Sequence, residues 1–151
     1  NPLVFWEYMG RALKVFGPKK VTAHLIVGVG EDLEKLAVTI NKIINAGGRV
    51  SLFSYHSNSH PPPNIKYYRK AQLIAYLIEN GNDLDEVFRI INERPKEVEE
   101  IVEKGKVFMT AGCPDCNRPY YTTRPGKEHR NFPRKPTEEE ILKIKKDLNI
   151  L

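Results

Sequence analysis

The sequence predicts an α/β fold: a parallel strand–helix–strand unit within residues 1–64, then a helical, loop-rich extension over residues 65–151. Three observations carry this. Two short, β-branched, apolar runs at residues 21–27 and 49–55 flank a stretch with apolar residues at helical spacing. Most of the chain after residue 64 shows helical rather than strand periodicity. Finally, 11 Pro and 10 Gly in 151 residues commit much of the chain to connecting loops.

Residues 3–16 place Leu3, Val4, Phe5, Tyr8, Met9, Ala12, Leu13, Val15 and Phe16 on a broad helical face, and Gly17-Pro18 stops that helix. The run VTAHLIV is short and nearly all apolar, the pattern of a strand buried on both faces. On that reading His24 belongs to the core. Gly28-Val29-Gly30-Glu31 forms a turn without bulky side chains, of the kind that lets a flat ligand approach the main chain. Leu33, Leu36, Ala37, Ile40, Ile43 and Ile44 then define an amphipathic helix closed by Gly47-Gly48, and RVSLFSY is the second strand. A strand–helix–strand unit of this length forms a parallel crossover, as in a doubly wound sheet or a barrel. The loop HSNSHPPPN, at residues 56–64, leaves the C-terminal end of the second strand, where α/β folds gather their ligands.

Further helices are expected over residues 67–80, over 83–91 from the capping pattern Asp83…Glu86, over 95–105 with Pro95 in the first turn, and over 138–148 behind Thr137…Glu140. Residues 106–110 read as a short strand and residues 112–136 as irregular. No apolar run reaches the roughly 18 residues that span a bilayer. No signal-peptide pattern is present, and two cysteines do not make a secreted disulfide scaffold, so a cytoplasmic location is expected.

The net charge of +5 is local. Between residues 117 and 136, Arg118, Arg124, Lys127, Arg130, Arg134 and Lys135 oppose Glu128 alone, which accounts for the whole excess. Tyr120, Tyr121 and Phe132 are interleaved with these cations, a mix that can bind single-stranded nucleic acid. The loop is short and broken by prolines, and docking of an acidic protein or anionic substrate explains it equally well. His129, within it, is expected to be exposed.

Cys113-Pro114-Asp115-Cys116 can grip one metal or close a disulfide. A thiol redox module is one reading, although the helix that would stabilise a thiolate at the first cysteine is blocked by Pro119. His56 and His60 at the strand end can serve as ligands or as acid and base, or stand in a solvated loop.

Two stretches together resemble the radical S-adenosylmethionine (SAM) enzymes of the biotin and lipoyl synthase group. VTAHLIVGVGED is similar to their fifth-strand motif, G-x-I-x-G-x-x-E, with Ile26, Gly28 and Glu31 matching and His24 in place of the first glycine. RVSLFSYHSNSHPPP resembles the sixth strand and its loop. The resemblance implies the C-terminal part of a parallel (β/α) partial barrel. It also implies SAM beside Ile26, Gly28, Phe53, Tyr55 and His56, with Glu31 capping the following helix. TAGCPDCNRPYY is similar to a C-terminal motif of archaeal two-component lipoyl synthases. That resemblance implies Cys113 and Cys116 as ligands of an auxiliary [4Fe–4S] cluster, the sulfur donor. Asn117, Arg118, Tyr120, Arg124 and Arg130 would then serve docking of substrate or of an acidic carrier protein.

One feature of that group is missing. The radical-generating [4Fe–4S] cluster needs three thiolates in a CxxxCxxC run, and this chain has two cysteines. The expectation is therefore a fragment, or a subunit, that needs an N-terminal half and does not cleave SAM alone. The start at Asn1 favours removal of that half. A part barrel of this kind leaves sheet edges open and is expected to self-associate or to be partly disordered.

Overall fold

The structure is a computed structural model that describes residues 2–57, 59–110, 123 and 126–150. The element order is α1 (Pro2–Phe16), β1 (Thr22–Val27), α2 (Leu33–Asn45), β2 (Arg49–Ser54), α3 (Ile65–Glu79), α4 (Leu84–Glu93), α5 (Pro95–Lys104), a 3₁₀ turn (Lys106–Phe108) and α6 (Glu138–Leu148). It is a mixed α/β fold, mostly helical, with a two-stranded parallel sheet.

Local chemistry explains the helix boundaries. Asp32, Asn64, Asp83 and Thr137 each accept a main-chain N–H in the first turn of α2, α3, α4 and α6. At Thr137 the arrangement is reciprocal, because the Glu140 carboxylate accepts the Thr137 N–H at 2.7 Å. Pro95 opens α5, and Gly105 ends it in the left-handed region at φ 69°.

β1 and β2 pair in register from Thr22↔Arg49 to Val27↔Ser54, and Tyr55 N–H extends the ladder to the Val27 carbonyl at 2.8 Å. Side chains alternate across the sheet. Ala23, Val27, Val50 and Leu52 are buried on one face. There they join Leu36, Ala37, Ile40 and Ile43 of α2 in a core that continues through Tyr68, Leu73, Ile74 and Leu77 of α3 to Val87, Val102, Phe108 and Ile144. The other face carries His24, Ile26, Ser51 and Phe53. It is open at Ile26, which is 56% exposed, and His24 is exposed too. The expectation of a strand buried on both faces, with His24 in the core, is thus corrected. The apolar run is long enough to fill two faces, but on the second face the described residues cover Ser51 and leave His24 and Ile26 exposed.

α1 divides in a similar way. Met9, Leu13 and Trp6 face the core, and the Met9 methyl fills the space that a Gly48 side chain would need. Val4, Tyr8 and Val15 lie exposed on another side of the helix. Residues 106–110 do not form a regular strand. After the 3₁₀ turn, Met109 makes an isolated parallel bridge with Phe132, with Thr110 N–H to the Phe132 carbonyl and Phe132 N–H to the Phe108 carbonyl, both at 2.8 Å. Among the described residues no helix is long and apolar enough to cross a membrane.

Candidate functional site

The C-terminal edge of the sheet carries the turn after β1 and the loop after β2. In the turn, Glu31 does not cap α2; Asp32 does, accepting Lys35 N–H at 2.7 Å. Glu31 folds back over the glycines. Its Oε1 accepts Gly28 N–H at 2.7 Å and its Oε2 accepts Val29 N–H at 2.8 Å. Tyr67, from the first turn of α3, donates its hydroxyl to the Glu31 main-chain carbonyl at 2.7 Å and lies 3.2 Å from Oε1. Burial, followed by the charge of Glu31, pushes the Tyr67 hydroxyl well above its ordinary value, so it stays a donor. The turn is therefore a braced shelf.

Gly28 sits at φ 98°, and a Cβ there would lie 2.6 Å from the Pro63 ring. The last of the three prolines thus covers the Gly28 side of the shelf. Gly30 has open space around it, so a ligand would reach the main chain at Gly30 rather than at Gly28. Ile26 and Phe53 are register partners on the open face, and the His24 and Phe53 rings lie 4.7 Å apart. The sequence-derived set Ile26, Gly28, Glu31, Phe53, Tyr55 and His56 is thus carried by one end of two paired strands.

Behind the second strand lies a polar network with no counterpart in the sequence reading. Arg69 of α3 has no exposed surface. Its Nη1 donates to Gln72 Oε1 at 3.0 Å and to the Arg130 carbonyl, its Nη2 donates to the His129 carbonyl at 2.9 Å, and its Nε is 3.8 Å from Asp147. The guanidinium lies between the Phe108 and Phe132 rings, 5.2 and 5.6 Å from their centroids. Burial lowers it to about 10, which leaves it charged at neutral pH. Gln72 Nε2 donates to the Arg130 carbonyl and to Asn131 Oδ1, at 3.0 and 2.6 Å. Tyr68 hydroxyl and Asn131 Nδ2 both donate to the Leu52 carbonyl of β2, at 2.9 and 3.2 Å. The segment at 129–132 is thereby fastened to α3 and to the sheet. His129, expected to be exposed, is half-buried as a consequence.

Arg130 follows from this anchoring. Its Nη2 donates to the Pro63 carbonyl at 2.6 Å, and its guanidinium lies 5.3 Å from the Tyr68 ring centroid. Between the loop after β2 and this returning segment opens a cleft of about 610 Å³. His56, Ser57, Ser59 and His60 line one side, and Thr123, Lys127, Glu128 and Arg130 the other. Of the docking residues read from sequence, Arg130 is brought to the strand ends. Cys113, Cys116, Asn117, Arg118, Tyr120 and Arg124 lie outside the described residues. Thr110, the last described residue before the cysteines, donates its N–H to the Phe132 carbonyl. Arg69 and Gln72 look like solvated helix positions in sequence.

No protein-family model, no curated protein and no solved structure matches the chain.

Proposed function

We propose that this chain is the C-terminal part of a radical SAM iron–sulfur enzyme of the biotin and lipoyl synthase group, acting in sulfur insertion at an unactivated carbon. One observation carries the reading. A parallel strand pair buries one face against helices and leaves the other open at Ile26, above a glycine turn braced by Glu31. A barrel's inner wall has that asymmetry when the remaining strands belong to another segment or chain. The exposed apolar side of α1, with Val4, Tyr8 and Val15, is consistent with a missing neighbour.

The residues fit the implied groups unequally. Ile26, Phe53 and the open backbone at Gly30 suit a flat, partly apolar ligand such as the adenine of SAM. Cys113 and Cys116 supply two thiolates toward an auxiliary cluster, so further ligands come from elsewhere. The radical-generating cluster does not fit this chain, since two cysteines cannot supply three thiolates. SAM with that cluster would supply hydrogen abstraction. The residues here would form the shelf beneath the ligand, exclude water from one side and, through the basic segment, meet an acidic carrier.

Anaerobic reconstitution with iron and sulfide tests the reading. The expected result is the brown charge-transfer absorption of an iron–sulfur cluster, diminished in Cys113→Ser, and SAM binding weakened in Ile26→Asp. A thiol pair cycling between disulfide and dithiol with no iron uptake would replace the reading with a redox module. Oligonucleotide affinity falling steeply with salt, again without iron, would replace it with a nucleic-acid-binding module.

A further inference from the structure

The cleft at the strand ends carries a polarity that the barrel reading leaves unused. On one side Ser57, Ser59 and His60 form a hydrogen-bonded row, with the two hydroxyl oxygens 2.8 Å apart and Ser59 Oγ 3.1 Å from His60 Nδ1. On the other stand two basic side chains, Lys127 and Arg130, and one carboxylate, Glu128. Glu128 is 3.3 Å from Lys143 of α6, so its charge is already answered. Arg130 Nη1 is buried with no acceptor among the described residues. Among its described lining residues the cleft therefore sets two cations against one carboxylate, opposite a row of hydroxyl and imidazole groups.

We infer that this cleft binds a small phosphate monoester. The geometry favours phosphate over carboxylate. A carboxylate has two coplanar oxygens, whereas those of a phosphate project in several directions and can meet donors on both walls of the cleft. Arg130 lends charge but no free fork, because Nη2 is committed to the Pro63 carbonyl and Nη1 is buried. What remains is the point charge of Lys127 and hydroxyls facing it, which suit an oxyanion whose oxygens project in several directions. The volume of about 610 Å³ exceeds what a bare ion needs and is that of a small-molecule site. The organic part would lie along the Pro61-Pro62 wall. SAM carries no phosphate, so this ligand is distinct from the one proposed above, and the inference does not depend on that reading.

The test is a ¹⁵N-edited NMR titration of the 151-residue chain, with glycerol phosphate, inorganic phosphate and acetate at equal ionic strength. Saturable shifts are expected at Ser57, Ser59, His60, Thr123 and Lys127, with glycerol phosphate tighter than acetate by about tenfold or more. Lys127→Gln, a change at an exposed position, should weaken glycerol phosphate by about tenfold, the loss of one charge-assisted hydrogen bond. Shifts that never saturate, equal affinity for acetate, or an unchanged affinity in Lys127→Gln would overturn the inference. So would a single-stranded oligonucleotide displacing glycerol phosphate at lower concentration, since the cleft would then belong to a nucleic-acid surface.

Discussion

Arg69→Met replaces a fully buried cation with an apolar side chain of similar length, and the structure sets the cost. Of the two carbonyls that Arg69 serves, that of Arg130 keeps the Gln72 amide as a donor at 3.0 Å. The His129 carbonyl loses the donor it has in Arg69, at 2.9 Å. Losing one hydrogen bond to a charged donor at a buried site costs about 1.5–3 kcal/mol. Asp147 loses the cation that offsets its own burial; desolvation already holds its carboxyl above the ordinary value. Breaking one side of a buried pair costs about 3–5 kcal/mol in well-formed cases. At 3.8 Å this pair is loose, and Met restores contact with Phe108 and Phe132. The expected loss is therefore about 3 kcal/mol. For a chain of this size that is roughly 6–12 °C in Tm. Urea unfolding followed by circular dichroism measures it. Arg69→Lys should recover only part, because one ammonium cannot reach both carbonyls and Gln72 together. Hydrogen exchange should show lost protection at the Thr110 and Phe132 amides, which pair residues 108–110 with Phe132, with α2 unaffected. A loss below about 1 kcal/mol, or full rescue by lysine, would refute the claim that Arg69 holds residues 129–132 in place.

Other perturbations have equally definite outcomes. Gly28→Ala forces a Cβ to within 2.6 Å of Pro63, whereas Gly30→Ala at φ 107° meets nothing within 4 Å. Both carry the left-handed penalty of about 1 kcal/mol, so the first should be less stable than the second in thermal unfolding, and Pro63→Ala should narrow the gap. Arg134 beside Glu140 holds that carboxyl at about 2, below its ordinary 4.5. Its contribution is present above about pH 4.5 and is lost as pH falls toward 2. The pair is partly exposed, so Glu140→Gln should remove only about 0.5–1 kcal/mol and flatten the acid limb of stability against pH. Ile40→Ala, at a position without exposed surface where α2 meets the core, should cost about 2–5 kcal/mol by denaturant titration. Replacing exposed Tyr8 and Val15 with Ser should leave stability unchanged and reduce self-association by light scattering.

The amino-acid order by itself determined the elements and their ends. Helical spacing of Leu36, Ile40 and Ile43 defines α2, Asp83 and Thr137 cap their helices, Pro95 and Gly105 bracket α5, and two β-branched runs around α2 make a parallel pair. These are interactions between residues a few positions apart, so composition and spacing carry them. Tertiary structure alone decided that His24 faces outward, that Glu31 braces the turn instead of capping, that Pro63 lies on Gly28, and that Arg69 is buried. Arg69 meets Arg130 from 61 positions away and Tyr67 meets Glu31 from 36. Such contacts depend on which surfaces packing brings together. A guanidinium on a helix looks solvated in sequence until two phenylalanine rings and two carbonyls from distant segments close around it.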